Sequence, residues 1–156
     1  MAPLRDSRGL ITSTGDAASL ERFERSLASL LRGDGNAVPV IERALARDPA
    51  FAGGHCLRAG ALVMRGADAR TGELAASVDA VERNPGANVR ERRHAAAARH
   101  WQEGKVARAA RLYGELVRDH PRDLLALLVA HGLDFRLGQR RMLRDRVAHV
   151  WPHWNA

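Results

Sequence analysis

Three prolines, at positions 49, 85 and 121, stand at two equal intervals of 36 residues, and each follows an amphipathic run: IERALARDP, SVDAVERNP and ARLYGELVRDHP. The residue before a proline is pushed out of the α region, so each is a helix stop. Equal stops in a chain of 156 residues mean one packing unit used repeatedly. A helical hairpin cannot bury its apolar face alone, and stacked neighbours make one continuous core.

The stretches between the stops have helical periodicity throughout, with no alternating strand pattern of useful length. Eight helices are expected, at about 16–31, 37–47, 51–64, 72–83, 88–103, 105–119, 123–138 and 139–150. Asp16, or Ser13 or Thr14 before it, caps the first. Pro39 is tolerated in the first turn of the second, where its missing N–H has no intrahelical partner. Asn88 and Glu91 have the spacing of a capping box, Asp123 caps helix seven, and RGADARTG separates helices three and four. The fold class expected is an all-α, right-handed α-solenoid of about four hairpins, at about 16–49, 51–85, 88–121 and 123–152. These form a single domain over 15–154, behind an irregular or mobile N-terminal arm, 1–14.

The hairpins resemble tetratricopeptide repeats, most clearly at 90–123. There Ala97 and Ala109 hold the two small positions where the helices cross, Gly104 the turn, Tyr113 the aromatic position and Pro121 the stop. Three longer stretches, DPAFAGGHCLRAG, RERRH and HPRDLLALLVAHGLDFRLGQRRMLRDRVAHVWPHW, are similar to the N-terminal part of the tetratricopeptide repeat protein 38 family, over about residues 5–154. Its members are much longer. The family supplies no activity to carry over, so the resemblance names a relative and not a reaction.

A protein of this class binds by shape. Repeat positions put Arg58, Arg65, His94, Trp101 and Gln102 on a concave groove, joined by Phe135 and Arg136 from the last hairpin. Arginine forks suit carboxylates, and tryptophan offers rigid apolar area. The expected function is therefore a protein–protein interaction scaffold, with another protein as partner. The Lys/Asn clamp of chaperone-binding tetratricopeptide domains is absent from the corresponding positions. The other reading of the same residues is that the aromatics bury against later helices and the arginines are solvated.

Three histidines, His55, His94 and His131, fall on successive first helices. They are candidates for a metal or small-ligand site, or else donors to neighbouring helix carbonyls. No HExxH or CxxC spacing supports a metal, and no metal or cofactor is expected. No phosphate loop is present: GDG at 33–35 follows a helix, not a strand. Adjacent His55 and Cys56 point about 100° apart on a helix, so Cys56 reads as a small core residue and catalysis is not expected. Asp119, Asp123 and Asp145 read as caps or surface partners of arginines.

The formal charge is +7, which raises a nucleic-acid or polyanion binder as the alternative. The basic residues, though, are spread among acids along all helices. The longest apolar stretch, LLALLVAHGL, is short of the roughly 20 residues a bilayer span needs. No secretion signal opens the chain and Cys56 is its single cysteine, so the expected compartment is the cytoplasm. Helix seven is apolar nearly all round, and Trp151 and Trp154 follow closely. Either the two tryptophans fold back as a cap, or the C-terminal hairpin docks on a partner or self-associates.

Overall fold

The computed structural model describes residues 2–66 and 71–154, the side chain of Thr71 excepted. The predicted separator between helices three and four falls largely on 67–70, outside the described residues. Eight helices follow in order: α1 Ala17–Arg32, α2 Ala37–Arg47, α3 Ala52–Arg65, α4 Thr71–Glu82, α5 Val89–Gln102, α6 Val106–Asp119, α7 Leu124–Arg136 and α8 Arg140–Trp154. There is no strand among the described residues, only an isolated bridge between Arg5 and Ile11. No described helix is long and apolar enough to cross a membrane.

The 36-residue interval is visible as one turn geometry. Two residues beyond each proline, the N–H of Phe51, Ala87 and Asp123 donates to the carbonyl of Asp48, Asn84 and His120, at 3.1, 3.2 and 2.9 Å. Asp48 and His120, each preceding its proline, share nearly the same backbone angles, φ −129° and ψ 82° against φ −131° and ψ 77°. Within the hairpins the chain turns at Gly33, Gly66, Gly104 and Gly138, all at positive φ between 68° and 78°, where a side chain would be strained. The capping box at the start of α5 is present in both directions, Asn88 with Glu91. Asp16 and Asp123 cap α1 and α7 through the amides of Ser19 and Ala126.

Each helix packs on the next, and α1, α3 and α5 also pack in sequence. This arrangement is consistent with a helical repeat. The core is built from small and branched residues such as Ala44, Leu57, Val78, Ala97 and Val129, with Phe51 and Tyr113 as its large rings.

The last hairpin departs from a regular stack. Helix α7 packs on α6 and α8 but also reaches back past α5 onto α3 and α1. Gly60 of α3 permits this approach, because a Cβ there would lie 3.0 Å from Leu125 and Val129 of α7. An α7 apolar all round is thus covered on several sides, as expected of a central helix. It does not present the open stacking surface read from its sequence.

The arm, expected to be irregular or mobile, is irregular and docked. Leu4 N–H donates to the Thr14 carbonyl and Thr12 N–H to the Leu4 carbonyl, both at 2.9 Å. Asp6, Thr12 and Thr14 are buried. At the other end α8 continues through Pro152 to Trp154. The proline removes one donor, the one that would bond the carbonyl of Ala148, an exposed residue. The final turn is held by Arg122 Nε donating to the His153 carbonyl at 2.8 Å and Trp154 Nε1 to the Pro121 carbonyl at 2.9 Å.

Candidate functional site

The groove residues do not converge on one surface. Arg58 turns toward α2 and α4, donating to Glu42 Oε1 at 3.1 and 3.2 Å and to Ser77 Oγ at 3.3 Å. Arg65 donates to the Gly35 carbonyl at 3.1 Å in the α1–α2 turn. Arg136 donates to the Val63 carbonyl at 3.0 Å and to that of Met64, covering the end of α3. Trp101 is half-buried against the core. Gln102 accepts from Arg99 Nη1 at 3.1 Å. Only Phe135, 73% exposed, stands free in solvent. The face of α3 that a groove would need is occupied by α7.

The three histidines also separate. His55 donates from Nε2 to the Pro49 carbonyl at 2.9 Å, and burial lowers its pKa. His131 is exposed, while His94 is buried. No group of three His, Cys, Asp or Glu side chains is arranged to hold a metal among the described residues.

His94 belongs to a polar cluster beneath the arm. Its Nε2 lies 2.8 Å from Asp123 Oδ2, which also accepts from Arg90 Nη1 at 2.8 Å. Asp123 Oδ1 accepts from the Ala126 amide at 3.0 Å, so Asp123 is an interior anchor and not a surface partner. Burial opposes ionisation of its carboxyl, but attraction to His94, the hydrogen bond from it and Arg90 outweigh that, and the pKa falls well below the usual carboxylate range. The other two aspartates do pair at the surface, Asp119 with Arg93 and Arg118, and Asp145 with Arg144. Glu91, also buried, accepts from the Ser13 amide at 3.0 Å. Asn88 Nδ2 and Arg90 Nη2 both donate to the Ile11 carbonyl. The Cys56 thiol donates to the Glu91 carbonyl at 3.3 Å, and burial pushes its pKa well up, so it is held as an unreactive thiol.

This cluster ties the arm, α5 and α7 together and is closed to ligands. The sequence signalled Glu91 only as a local cap. Its second task, holding the arm, needs the close approach of Gly53, where a Cβ would stand 2.8 Å from the Phe51 ring and 3.0 Å from Glu91 Oε1.

The accessible surface lies at the other end. Val150 is the one buried residue of α8. Exposed apolar side chains run from Phe135 through Leu137, Met142 and Val147 to Trp151, 64% exposed, and Trp154, 39% exposed. The tryptophans therefore do not cap the array. On the other face of α8, that of Met142, Asp145, Arg146 and His149, lies an open cleft of about 540 Å³ against α6, where Ala110, Gly114 and Val117 line it. The helices are held together there by polar contact: Arg146 lies over Gly114 and its Nε donates to Asp134 Oδ2 at 2.5 Å. Sequence position gave Phe135 and the tryptophans, but not the cleft, which depends on the angle of α8.

The class these features define is an all-helical, repeat-like protein with one closed polar cluster and one open apolar end. Compared with known proteins, the chain matches no family model, and no solved structure matches it.

Proposed function

We propose that this chain is a tetratricopeptide-like, right-handed helical-repeat module that holds another protein through its C-terminal hairpin and makes or breaks no bond. The similarity to the N-terminal part of the tetratricopeptide repeat protein 38 family belongs to the same proposal, as does a place in the cytoplasm. The observation that carries it is the set of exposed apolar side chains on that hairpin: Val147, Trp151 and Trp154, which fall within about 60° of one another on α8, and Phe135 on α7. Apolar area so grouped and rimmed by charge marks an interaction surface. It replaces the groove as the place of contact, because Arg58, Arg65 and Arg136 are engaged within the fold. A polyanion reading draws less support, since the charges of Arg8, Arg47, Arg90, Arg99 and Arg146 are paired with acids of the same chain.

The test is a photo-crosslinking residue placed at Val147 in cells that make the protein, with the same residue at exposed Glu21 of α1 as control. A discrete protein adduct at 147 and none at 21 is the expected result. Equal labelling at both positions, or none at 147, would remove the reading.

A further inference from the structure

We infer that α8 pairs antiparallel with α8 of a second copy of this chain, about a two-fold axis at Val147. The inference rests on the proposed role of the C-terminal hairpin as a contact surface and names the occupant of that surface.

Placement comes first. At about 100° per residue, Arg140, Leu143, Val147, Trp151 and Trp154 lie within about 80° of one another on α8. Arg140, Val147, Trp151 and Trp154 are exposed, and Leu143 is half-buried. The stripe is symmetric about Val147, with Leu143 and Trp151 four positions to either side and Arg140 and Trp154 seven. An antiparallel helix laid along it, Val147 on Val147, sets Arg140 of each copy against Trp154 of the other and Leu143 against Trp151. Every contact is then made twice, the self-complementary arrangement that a two-fold dimer requires.

Chemistry agrees with that register. The stripe has an apolar centre, a cation at one end and aromatic rings at the other. Arg140 forms no ion pair among the described residues, and a guanidinium over a tryptophan face is attracted to it. The Trp154 ring is already fixed by Nε1 donating to the Pro121 carbonyl at 2.9 Å, so little freedom is lost on docking. A parallel pair would put Arg140 on its own equivalent. The antiparallel pair separates the two by 14 positions, about 21 Å at 1.5 Å per residue, more than twice the Debye length of about 8 Å at physiological salt. Arg144, at the edge of the stripe, is neutralised by Asp145 at 2.8 Å. The positive end of each helix dipole also lies beside the negative end of the other. Within its own chain α8 buries only Val150, and a second helix covers a flank that the fold leaves open.

Light scattering over a concentration series tests this, and the mass is expected to rise from one chain to two. Val147→Arg puts two like charges on the axis and should leave a monomer throughout. Val147 is 41% exposed, so circular dichroism should show that variant folded. Arg140→Ala should weaken association about tenfold, two cation–π contacts being lost per dimer. Cys56 is buried, so an introduced thiol reports the register: mild oxidation should join chains carrying Val147→Cys and leave chains carrying Trp154→Cys apart. Equal joining of both would overturn the antiparallel pairing, and a dimer that survives Val147→Arg would place the interface elsewhere. A monomer at every concentration overturns the second copy. A monomer that sediments with phosphatidylserine vesicles, and ceases to with Trp151→Ala, would replace it with a lipid surface. A monomer crosslinked at 147 to a protein of another mass would leave the surface reading standing with a different occupant, and absence of that crosslink would remove both.

Discussion

Asp123, in the turn before α7, and His94, in the middle of α5, meet at 2.8 Å between Oδ2 and Nε2, each only 2% exposed. The same carboxylate takes Arg90 and caps α7, and Arg90 in turn holds the Ile11 carbonyl. One side chain thus joins two helices to each other and, through Arg90, to the arm. Asp123→Asn keeps the size but leaves Arg90 buried without its counter-charge. Breaking one partner of such a pair costs about 3–5 kcal/mol. Urea denaturation should show that loss, and Asp123→Ser, which can still cap α7, should recover little of it.

The same carboxylate makes a pH prediction. Its pKa is lower in the folded chain than in the unfolded one. The stability it contributes is therefore complete above the unfolded value, about 4, and is lost as pH falls below it toward the depressed folded value. The urea midpoint should decline from about pH 4 downward, and Asp123→Asn should flatten that limb. An equally steep limb in the variant would assign acid sensitivity to other carboxylates.

The helices and their stops were legible because they are local. Period 3.6, Pro49, Pro85 and Pro121, and the Asn88–Glu91 pair each act within one or two turns. The placement of α7 was not legible, because it depends on a contact between residues 65 or more positions apart, Gly60 with Leu125 and Val129. The all-round apolarity of LLALLVAHGL was the available signal, and it fits a helix enclosed by its own chain better than one awaiting a partner. The engagement of Arg58, Arg65 and Arg136 within the fold was not legible for the same reason. Repeat positions assume that each first helix rests on the one before it, and α7 does not stop there.

That contact can be tested at Gly60. A leucine there would be forced into Leu125 and Val129, and overpacking of this kind costs about 1–3 kcal/mol. Gly72 on α4 has nothing within 4 Å of its Cβ position. Gly72→Ala should accordingly be neutral or stabilise by up to about 1 kcal/mol from helix propensity. Melting temperatures of the two variants should move in opposite directions, or only Gly60→Leu should move.

The arm should behave as part of the fold. Amides of Leu4, Asp6 and Thr12 are bonded to backbone within it, and Asn88 grips it from α5. Asn88→Ala removes that grip and the α5 cap, at about 1–2 kcal/mol. Hydrogen exchange should quicken at those three amides while α6 amides keep their protection. Fast exchange of the arm already in the unaltered protein would show that its bonds do not persist in solution.

Helix α8 should open before the rest, because Val150 alone anchors it in the core and its middle depends on Arg146 reaching Asp134 over Gly114. A methyl at Gly114 would overlap the Arg146 guanidinium. That group is the far end of a flexible side chain and can swing away, so the steric cost is small. The larger consequence is Asp134, buried at 1% exposure, which then loses its ionic partner at a cost of about 1–3 kcal/mol. Gly114→Ala should therefore speed tryptic cutting at Arg140, Arg141 and Arg144 well beyond its effect on cutting in α1 or α2, since opening a weakly held end needs far less than global unfolding. Uniform acceleration at all sites would mean instead that α8 unfolds together with the array.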